Sequence, residues 1–140
     1  EKDVTDGQLA IERALQIQPA SMWLLGFLGG PRLDQAMANV LFLAHLQTQA
    51  VLIDELNECV MVRPGTHYSW STEPDEIVSL LPASAQVEGV QTAGLRWPLD
   101  HAHLLLGDTR GVSNEPKGAT ASVSITGGLL LVTRHFPSDP

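Results

Sequence analysis

The sequence predicts an α+β domain in which N-terminal helices, over about residues 5–48, pack on a mainly antiparallel sheet from the C-terminal two-thirds of the chain. Three observations support this class. Apolar residues recur at three- and four-residue spacings before residue 49, and short β-branched runs broken by glycine and proline follow. The order of these segments, helices first and strands afterwards, favours α+β over alternating βαβ units.

Two helices are predicted at the start of the chain. Thr5 and Gln8 have the spacing of a capping box, which begins a helix over about 5–17 that stops before a proline. The apolar run Ser21–Leu28 predicts a second helix, because two glycines and a proline follow it as a stop signal.

A third helix, over about 32–48, has the clearest apolar period in the chain. We expect this stripe to face the core. Phe42, Leu43 and Leu46 lie away from the stripe, so the helix needs a second cover, either the domain's own sheet or a partner chain. The stripe consists of Leu33, Ala36, Met37, Val40, Leu41 and Ala44.

A hairpin is predicted from the strands VLIDEL and CVMV, which begin at Val51 and Cys59. In this setting the cysteine is expected to be a small strand hydrophobe and not a nucleophile. Asp54, Glu55 and Glu58 form an acidic cluster at the end of the hairpin, where solvated charge is ordinary.

The remaining elements are shorter. An acidic first turn containing proline predicts a helix over 73–81. The runs AQVEGVQ and GLRW predict short strands, and residues 107–118 predict a long loop. The run VSIT-GG-LLLV predicts an antiparallel hairpin about Gly127-Gly128, since glycine tolerates the positive φ of a tight turn.

The stretch LDHAHLLLGD, residues 99–108, is compatible with a strand or a helix. In a strand, His101 and His103 point to the same face, and His67 or Asp108 completes a set of metal ligands. In a helix, residues two apart point about 200° apart and cannot share an ion.

We expect this stretch to be packed structure, with Leu104–Leu106 in the core and no metal on the two histidines. No cofactor is predicted. Length predicts a single domain over 1–140, and a chain that begins at Glu1 without methionine fits one cut from a larger protein.

The charge composition excludes several classes of partner. Eight basic and sixteen acidic side chains give a formal charge of −8, and the basic residues are scattered singly, so nucleic acid is not an expected partner.

The longest apolar run, Met22–Leu28, is too short to insert across a membrane. One cysteine and the lack of a visible signal peptide favour a cytoplasmic location.

No catalytic signature is recognisable, neither a GxSxG elbow nor a GxxxxGK[ST] loop. The sequence therefore favours a non-enzymatic protein–protein interaction or assembly module, such as an adaptor or a structural subunit that binds another protein or itself. Candidate interface residues are Phe42, Leu43, Leu46, Tyr68 and Trp70. The alternatives are a small metal-dependent enzyme using His101 and His103, or a ligand-binding or sensory α+β domain with an apolar pocket between helix and sheet.

Overall fold

The computed structural model describes residues 4–137, which form two helices and nine strands. The helices are α1 (Asp6–Leu15) and α2 (Leu33–Phe42), and a 3-10 turn, Leu43–His45, continues α2. The strands are β1 (Ser21–Leu25), β2 (Gln49–Ile53), β3 (Asn57–Val62), β4 (His67–Ser71), β5 (Ile77–Pro82), β6 (Gln86–Ala93), β7 (Ala102–Leu105), β8 (Thr120–Ser124) and β9 (Leu130–His135).

The strands form two sheets. One has the order β1-β2-β3-β9-β5, with β1 parallel to β2 and the other pairs antiparallel. The other has the order β4-β8-β6-β7 and is antiparallel throughout. The predicted α+β class, with N-terminal helices and a mainly antiparallel sheet, is confirmed.

The five-stranded sheet is covered on both faces. One face packs on the four-stranded sheet through an apolar core that includes Val62, Leu80, Val123 and Val132. The other face packs under α1 and the end of α2 through a second cluster that includes Ile11, Leu43, Leu52 and Leu131. Within the described residues, no helix is long and apolar enough to cross a membrane.

Two local predictions are confirmed. The Thr5 hydroxyl accepts a hydrogen bond from the Gln8 N–H at 3.2 Å and caps α1, which ends at Leu15. β2 and β3 pair as the predicted hairpin, but its turn spans residues 54–56, where the Asp54 carboxylate accepts the N–H of Asn57 at 2.7 Å, and not Asn57-Glu58, which lie in β3. Both are short-range patterns in which the side chain stabilises the backbone beside it.

The prediction of a helix over Ser21–Leu28 is wrong, because Ser21–Leu25 is strand β1. Met22 and Leu24 are buried while Trp23 and Leu25 are exposed, so the side chains alternate between the two faces of the sheet. All four residues are apolar, and a uniformly apolar run shows no period that separates a strand from a helix. β1, α2 and β2 therefore form a parallel strand–helix–strand unit.

The face of α2 predicted to be core is only partly buried: Ala36, Val40 and Ala44 are half-buried, and Val40 packs against the cluster beneath the helices. Leu33, Met37 and Leu41 are 73%, 54% and 62% exposed, whereas Leu43 and Leu46 are buried against the sheet. The helix also ends at Phe42 and not at 48. A helix that is apolar on two sides does not reveal which side meets the sheet, and the turn into β2 brings Leu43 and Leu46 inward.

Two predicted elements after residue 72 are also wrong. The segment predicted as a helix over 73–81 forms a turn followed by strand β5. β8 and β9 do not form a hairpin about Gly127-Gly128, because they belong to different sheets. Gly128 has φ +84°, and a Cβ there would collide with the carbonyl oxygen of Gln86, so this glycine serves a close crossing between the sheets.

The loop predicted over 107–118 is a loop, AQVEGVQ lies in β6, and GLRW forms only an isolated bridge between Leu95 and Pro116. The LDHAHLLLGD stretch contains strand β7. Leu104 is fully buried, as predicted, but Leu105 and Leu106 are 52% and 65% exposed. A strand points alternate side chains to opposite faces, so three consecutive leucines cannot all enter one core.

Leu104 and Leu105 provide a matched pair of substitutions. We expect Leu104→Ala to lower the free energy of unfolding by about 2–5 kcal/mol, because it leaves a cavity in the core between the sheets. Leu105→Ala should change it by less than about 1 kcal/mol. Urea denaturation of both variants measures this difference, and equal losses would show that the burial of β7 is misassigned.

Candidate ligand-binding site

The buried side chain of Asn114 joins two loops. Its amide nitrogen donates to the Trp97 carbonyl at 2.7 Å, and its amide oxygen accepts the N–H of Trp97 at 3.1 Å and of Glu115 at 3.0 Å. Its backbone N–H and carbonyl both pair with Val78 of β5 at 2.8 Å. One residue therefore fixes residues 94–99 and the 107–118 loop against the edge of the five-stranded sheet.

Trp97 is presented at the surface by this arrangement. Its ring is half exposed, and the Arg96 guanidinium lies 4.9 Å from the ring centroid. Arg96 also forms an ion pair with Glu115 at 2.7 Å. The loops thus hold an exposed aromatic face that already contacts a cation, an arrangement that also suits a cationic or aromatic ligand.

An open cleft of about 660 Å³ is formed beside these loops by the segments Thr72–Ile77 and Glu115–Gly118. Its volume lies within the range of small-molecule sites, about 300–1,000 Å³. The carboxylate-bearing residues that line it are Glu73, Asp75, Glu76 and Glu115. We refer to it below as the acidic cleft.

The carboxylates of the acidic cleft differ in their partners. Glu76 pairs with Arg134 at 2.6 Å, and Glu115 pairs with Arg96. Glu73 and Asp75 form no ion pair within residues 4–137. The cleft therefore carries uncompensated negative charge, which attracts a cationic ligand.

The apolar pocket expected between helix and sheet is small. Leu43, Leu46 and Met61 line it, and its volume is about 60 Å³. This volume holds water molecules but not an organic ligand. The acidic cleft, formed by loops, is the better candidate for binding a small molecule.

The five candidate interface residues lie largely inside the chain. Leu43, Leu46 and Trp70 are buried, and Phe42 and Tyr68 are partly buried and pack against the two cores. For Leu43 and Leu46, the surface that buries the second apolar side of this segment is thus the domain's own sheet. A role of these residues in an interface stays a prediction, although three of them have little surface to offer a partner.

The four candidate metal ligands are not gathered in one place. His67 lies on β4 and His103 on β7, which are opposite edges of the four-stranded sheet. His101 precedes β7 with φ 45°, and Asp108 accepts the N–H of Leu105 at 2.7 Å. Among the described residues, no group of three or more His, Cys, Asp or Glu side chains is placed to hold a metal ion.

The residues that sequence reasoning missed are Asn114, Trp97 and the acidic residues of 73–76. Asn114 lay in a segment predicted only as a loop, and 73–76 was assigned to a helix. The signal that was present is the local richness in carboxylates around a proline at 73–76 and the Arg-Trp pair at 96–97. Their convergence depends on contacts between segments distant in sequence.

Part of the chain that contains this region is similar to a family of vitamin-binding domains. Residues 69–130, which include both walls of the acidic cleft, Trp97 and Asn114, match the family described as thiamin pyrophosphokinase, vitamin B1 binding domain. The region is therefore similar to the vitamin-binding domains of a class of pyrophosphokinases. Over 137 residues the chain is 31% identical to thiamine pyrophosphokinase of Bacillus subtilis. The aligned region makes up 96% of this chain and 64% of that protein.

Solved structures of thiamine pyrophosphokinases are also similar to this chain. The crystal structure of thiamine pyrophosphokinase from Bacillus subtilis superposes with a TM-score of 0.90 at 30% identity, covering 99% of this chain and 66% of that one. The enzyme from Geobacillus thermodenitrificans superposes with a TM-score of 0.87 at 29% identity, covering 99% and 65%. The chain thus spans slightly less than two thirds of the length of these relatives.

These similarities overturn the prediction of a non-enzymatic interaction or assembly module, since the relatives are enzymes. Of the alternatives, the metal-dependent enzyme based on His101 and His103 gains no support from the described residues, whereas the ligand-binding or sensory α+β domain stays a prediction whose ligand-binding part agrees with the matching family. The prediction failed because it required a contiguous catalytic motif, whereas the site here is built from loops that meet only in the folded chain.

Cys59 gives a test of the described burial. Burial and, to a smaller extent, the negative charges of Asp54 and Glu58 raise the pKa of the Cys59 thiol to about 11. At pH 8 only about one thiol in a thousand is then ionised, so we expect very slow labelling of the native protein by an aromatic disulfide reagent. Labelling should accelerate as the pH rises towards 11 and become fast in urea. Stoichiometric labelling within seconds at pH 8 would contradict the buried position.

Proposed function

We propose that the chain provides the thiamine-binding part of a thiamine pyrophosphokinase. In the reaction implied by that name, the hydroxyl oxygen of thiamine attacks the β-phosphorus of a nucleoside triphosphate. The bond from that phosphorus to the oxygen bridging the α-phosphate breaks, a nucleoside monophosphate leaves, and the hydroxyl proton passes to a base or to water. The products are thiamine diphosphate and the monophosphate.

The observation that carries this proposal is the position of the matching segment. Residues 69–130 match a vitamin B1 binding domain, and the same segment supplies both walls of the acidic cleft. A site found from geometry and a segment found by similarity therefore coincide.

The chemistry of the cleft fits the acceptor. Thiamine carries a permanently charged thiazolium ring and a second aromatic ring. Glu73 and Asp75 line the cleft and provide the negative charge that favours the thiazolium. Trp97 lies outside the lining, on the loop that Asn114 joins to Glu115, and its exposed ring provides a neighbouring surface for stacking or a cation–π contact. Asn114 holds Trp97 in place by hydrogen bonds to its backbone on both sides.

The proposal assigns only the acceptor side to the described residues. The eight basic side chains are scattered along the sequence, and three of them, Arg32, Arg96 and Arg134, pair with carboxylates. A triphosphate needs a cluster of cations, amide donors or a bound magnesium ion. The phosphate donor and its magnesium ion enter the proposed reaction as substrate.

The activity is tested by incubating the purified protein with thiamine, ATP and magnesium ions. We expect saturable thiamine binding by calorimetry; thiamine diphosphate and AMP in equal amounts would show in addition that the protein holds the phosphate donor. Binding without turnover would support the acceptor site alone. No binding at millimolar thiamine would overturn the proposal.

The charge of the cleft gives a first mutational prediction. The double substitution Glu73→Gln and Asp75→Asn should weaken thiamine binding by roughly 3–10-fold, because each exposed carboxylate contributes about 0.2–1 kcal/mol to a charge pair. The effect should shrink as salt is added. Glu12→Gln, on the exposed side of α1, is the control and should leave affinity unchanged. Equal affinity of the double variant and the wild type would exclude the cleft as the cation site.

Trp97 gives a second prediction. We expect thiamine to quench the fluorescence of Trp97, and Trp97→Ala to weaken binding by roughly 3–30-fold through the loss of about 0.5–2 kcal/mol of cation–π attraction. Trp23→Phe, on β1 of the other sheet, serves as the control. Affinity and quenching that are unchanged after replacement of Trp97 would show that the ligand does not contact this ring, since Trp70, which donates to Glu76 of the cleft, also responds to a ligand bound there.

Binding to another protein or to a second copy of the chain, expected from the sequence, stays a prediction. The exposed apolar side chains of α2, Leu33, Met37 and Leu41, provide apolar surface that favours association. Mass measurement of the native particle tests this, and a monomer at all concentrations would exclude it.

A further inference from the structure

A buried arginine lies directly behind the acidic cleft. Arg134 of β9 is 7% exposed, and its guanidinium hydrogen-bonds to the Glu76 carboxylate at 2.6 and 3.3 Å and to the Glu58 carboxylate at 3.2 and 3.2 Å. It also donates to the Ser71 carbonyl at 3.0 Å. Sequence reasoning placed Glu58 as a solvated turn charge, but it is buried and paired.

Aromatic side chains surround this ion cluster and complete its hydrogen bonds. The Tyr68 hydroxyl donates to Glu58 at 2.8 Å, and the Trp70 indole N–H donates to Glu76 at 3.1 Å. Burial is the larger cause and the charge of Glu58 the smaller cause of a raised pKa of Tyr68, so this hydroxyl stays protonated and able to donate at neutral pH. Within the described residues, every buried side-chain nitrogen and oxygen has a partner.

The cluster holds both ends of one wall of the cleft. Ser71, at the end of β4, is bound through its carbonyl, and Glu76, just before β5, is bound through its carboxylate. Glu76 also accepts the N–H of Glu73 at 2.9 Å and so folds the turn back on itself. The residues between these anchors include Glu73 and Asp75, and Asp75 has φ 56°, a left-handed conformation that needs support from its surroundings.

Stability alone is a weak reason for such a cluster. A buried ion network contributes no more to stability than well-packed apolar residues of the same volume, because desolvation offsets the attraction between the charges. A fixed network does, however, hold the geometry of the backbone groups bound to it.

From these contacts we propose that Glu76 and Arg134 are positioning residues for the acceptor site. They fix the turn 72–76, so that the carboxylates of Glu73 and Asp75 face the cleft in one arrangement. This inference rests on the proposed function, since it concerns the same cleft.

Glu76→Gln and Glu58→Gln are a matched pair of substitutions. Each replaces a buried carboxylate that pairs with Arg134, but only Glu76 binds the turn. An amide has one acceptor oxygen in place of two. One carboxylate oxygen of Glu76 accepts from Arg134 Nε and the Trp70 indole, and the other accepts the Glu73 N–H, so E76Q cannot keep both sets of bonds. We expect E76Q to raise the KM and Kd for thiamine about tenfold, with the KM for ATP unchanged. E58Q should leave the thiamine constants within about twofold of wild type.

A readout without ligand separates this inference from the proposed function. Amide hydrogen exchange at Glu73 should become faster in E76Q and stay protected in E58Q. If the wild type binds no thiamine, the proposed function fails, whereas the exchange result still decides whether Glu76 holds the turn. If E76Q and E58Q raise the thiamine KM equally, or only lower kcat through loss of folded protein, the positioning role is overturned. Arg134→Lys, which keeps one charge but not the planar fork, should resemble E76Q if the variant folds.

Discussion

The ion cluster around Arg134 is the interaction on which much of the structure depends, because it lies where the two sheets meet. Arg134 comes from β9 of the five-stranded sheet, and it binds Glu58 of β3, Glu76 before β5 and the carbonyl of Ser71 in β4 of the other sheet. Burial acts to lower the pKa of Arg134, but the hydrogen bonds and charges of Glu76 and Glu58 outweigh it and raise the pKa overall. A buried charge of this kind requires all of its partners in place.

The interior position of β9, between β3 and β5, explains how two cores are built on one sheet. Leu130 and Val132 enter the core between the sheets, and Leu131 faces the helices. Neighbouring residues of one strand thus stabilise opposite layers. The helical layer is less fully covered than the sandwich, since Leu33, Met37 and Leu41 of α2 are exposed and the buried contacts with the sheet are made by Leu43 and Leu46, which follow the helix.

The candidate site lies where loops from different strands converge, on a rigid scaffold. Asn114 ties its loop to β5, and Glu76 ties the opposite wall to the buried cluster. Both anchors are buried, while Trp97, Glu73 and Asp75, the groups proposed to contact the ligand, are at the surface. Buried anchors of this kind hold the loops that carry the exposed groups in one geometry.

The sequence by itself determined those features that depend on neighbours along the chain: the α+β class, the capped start of α1 and the β2–β3 hairpin. It did not determine the fold of SMWLL, the inward face of α2 or the role of Gly128, because each depends on what another segment presents to it. The tertiary structure alone decided the site. Glu58 and Glu76 lie 76 and 58 residues from Arg134 in the chain, and no local period or motif connects them. The physical reason is that charge pairing and the walls of a cleft form through space, whereas propensity and capping act within a few residues.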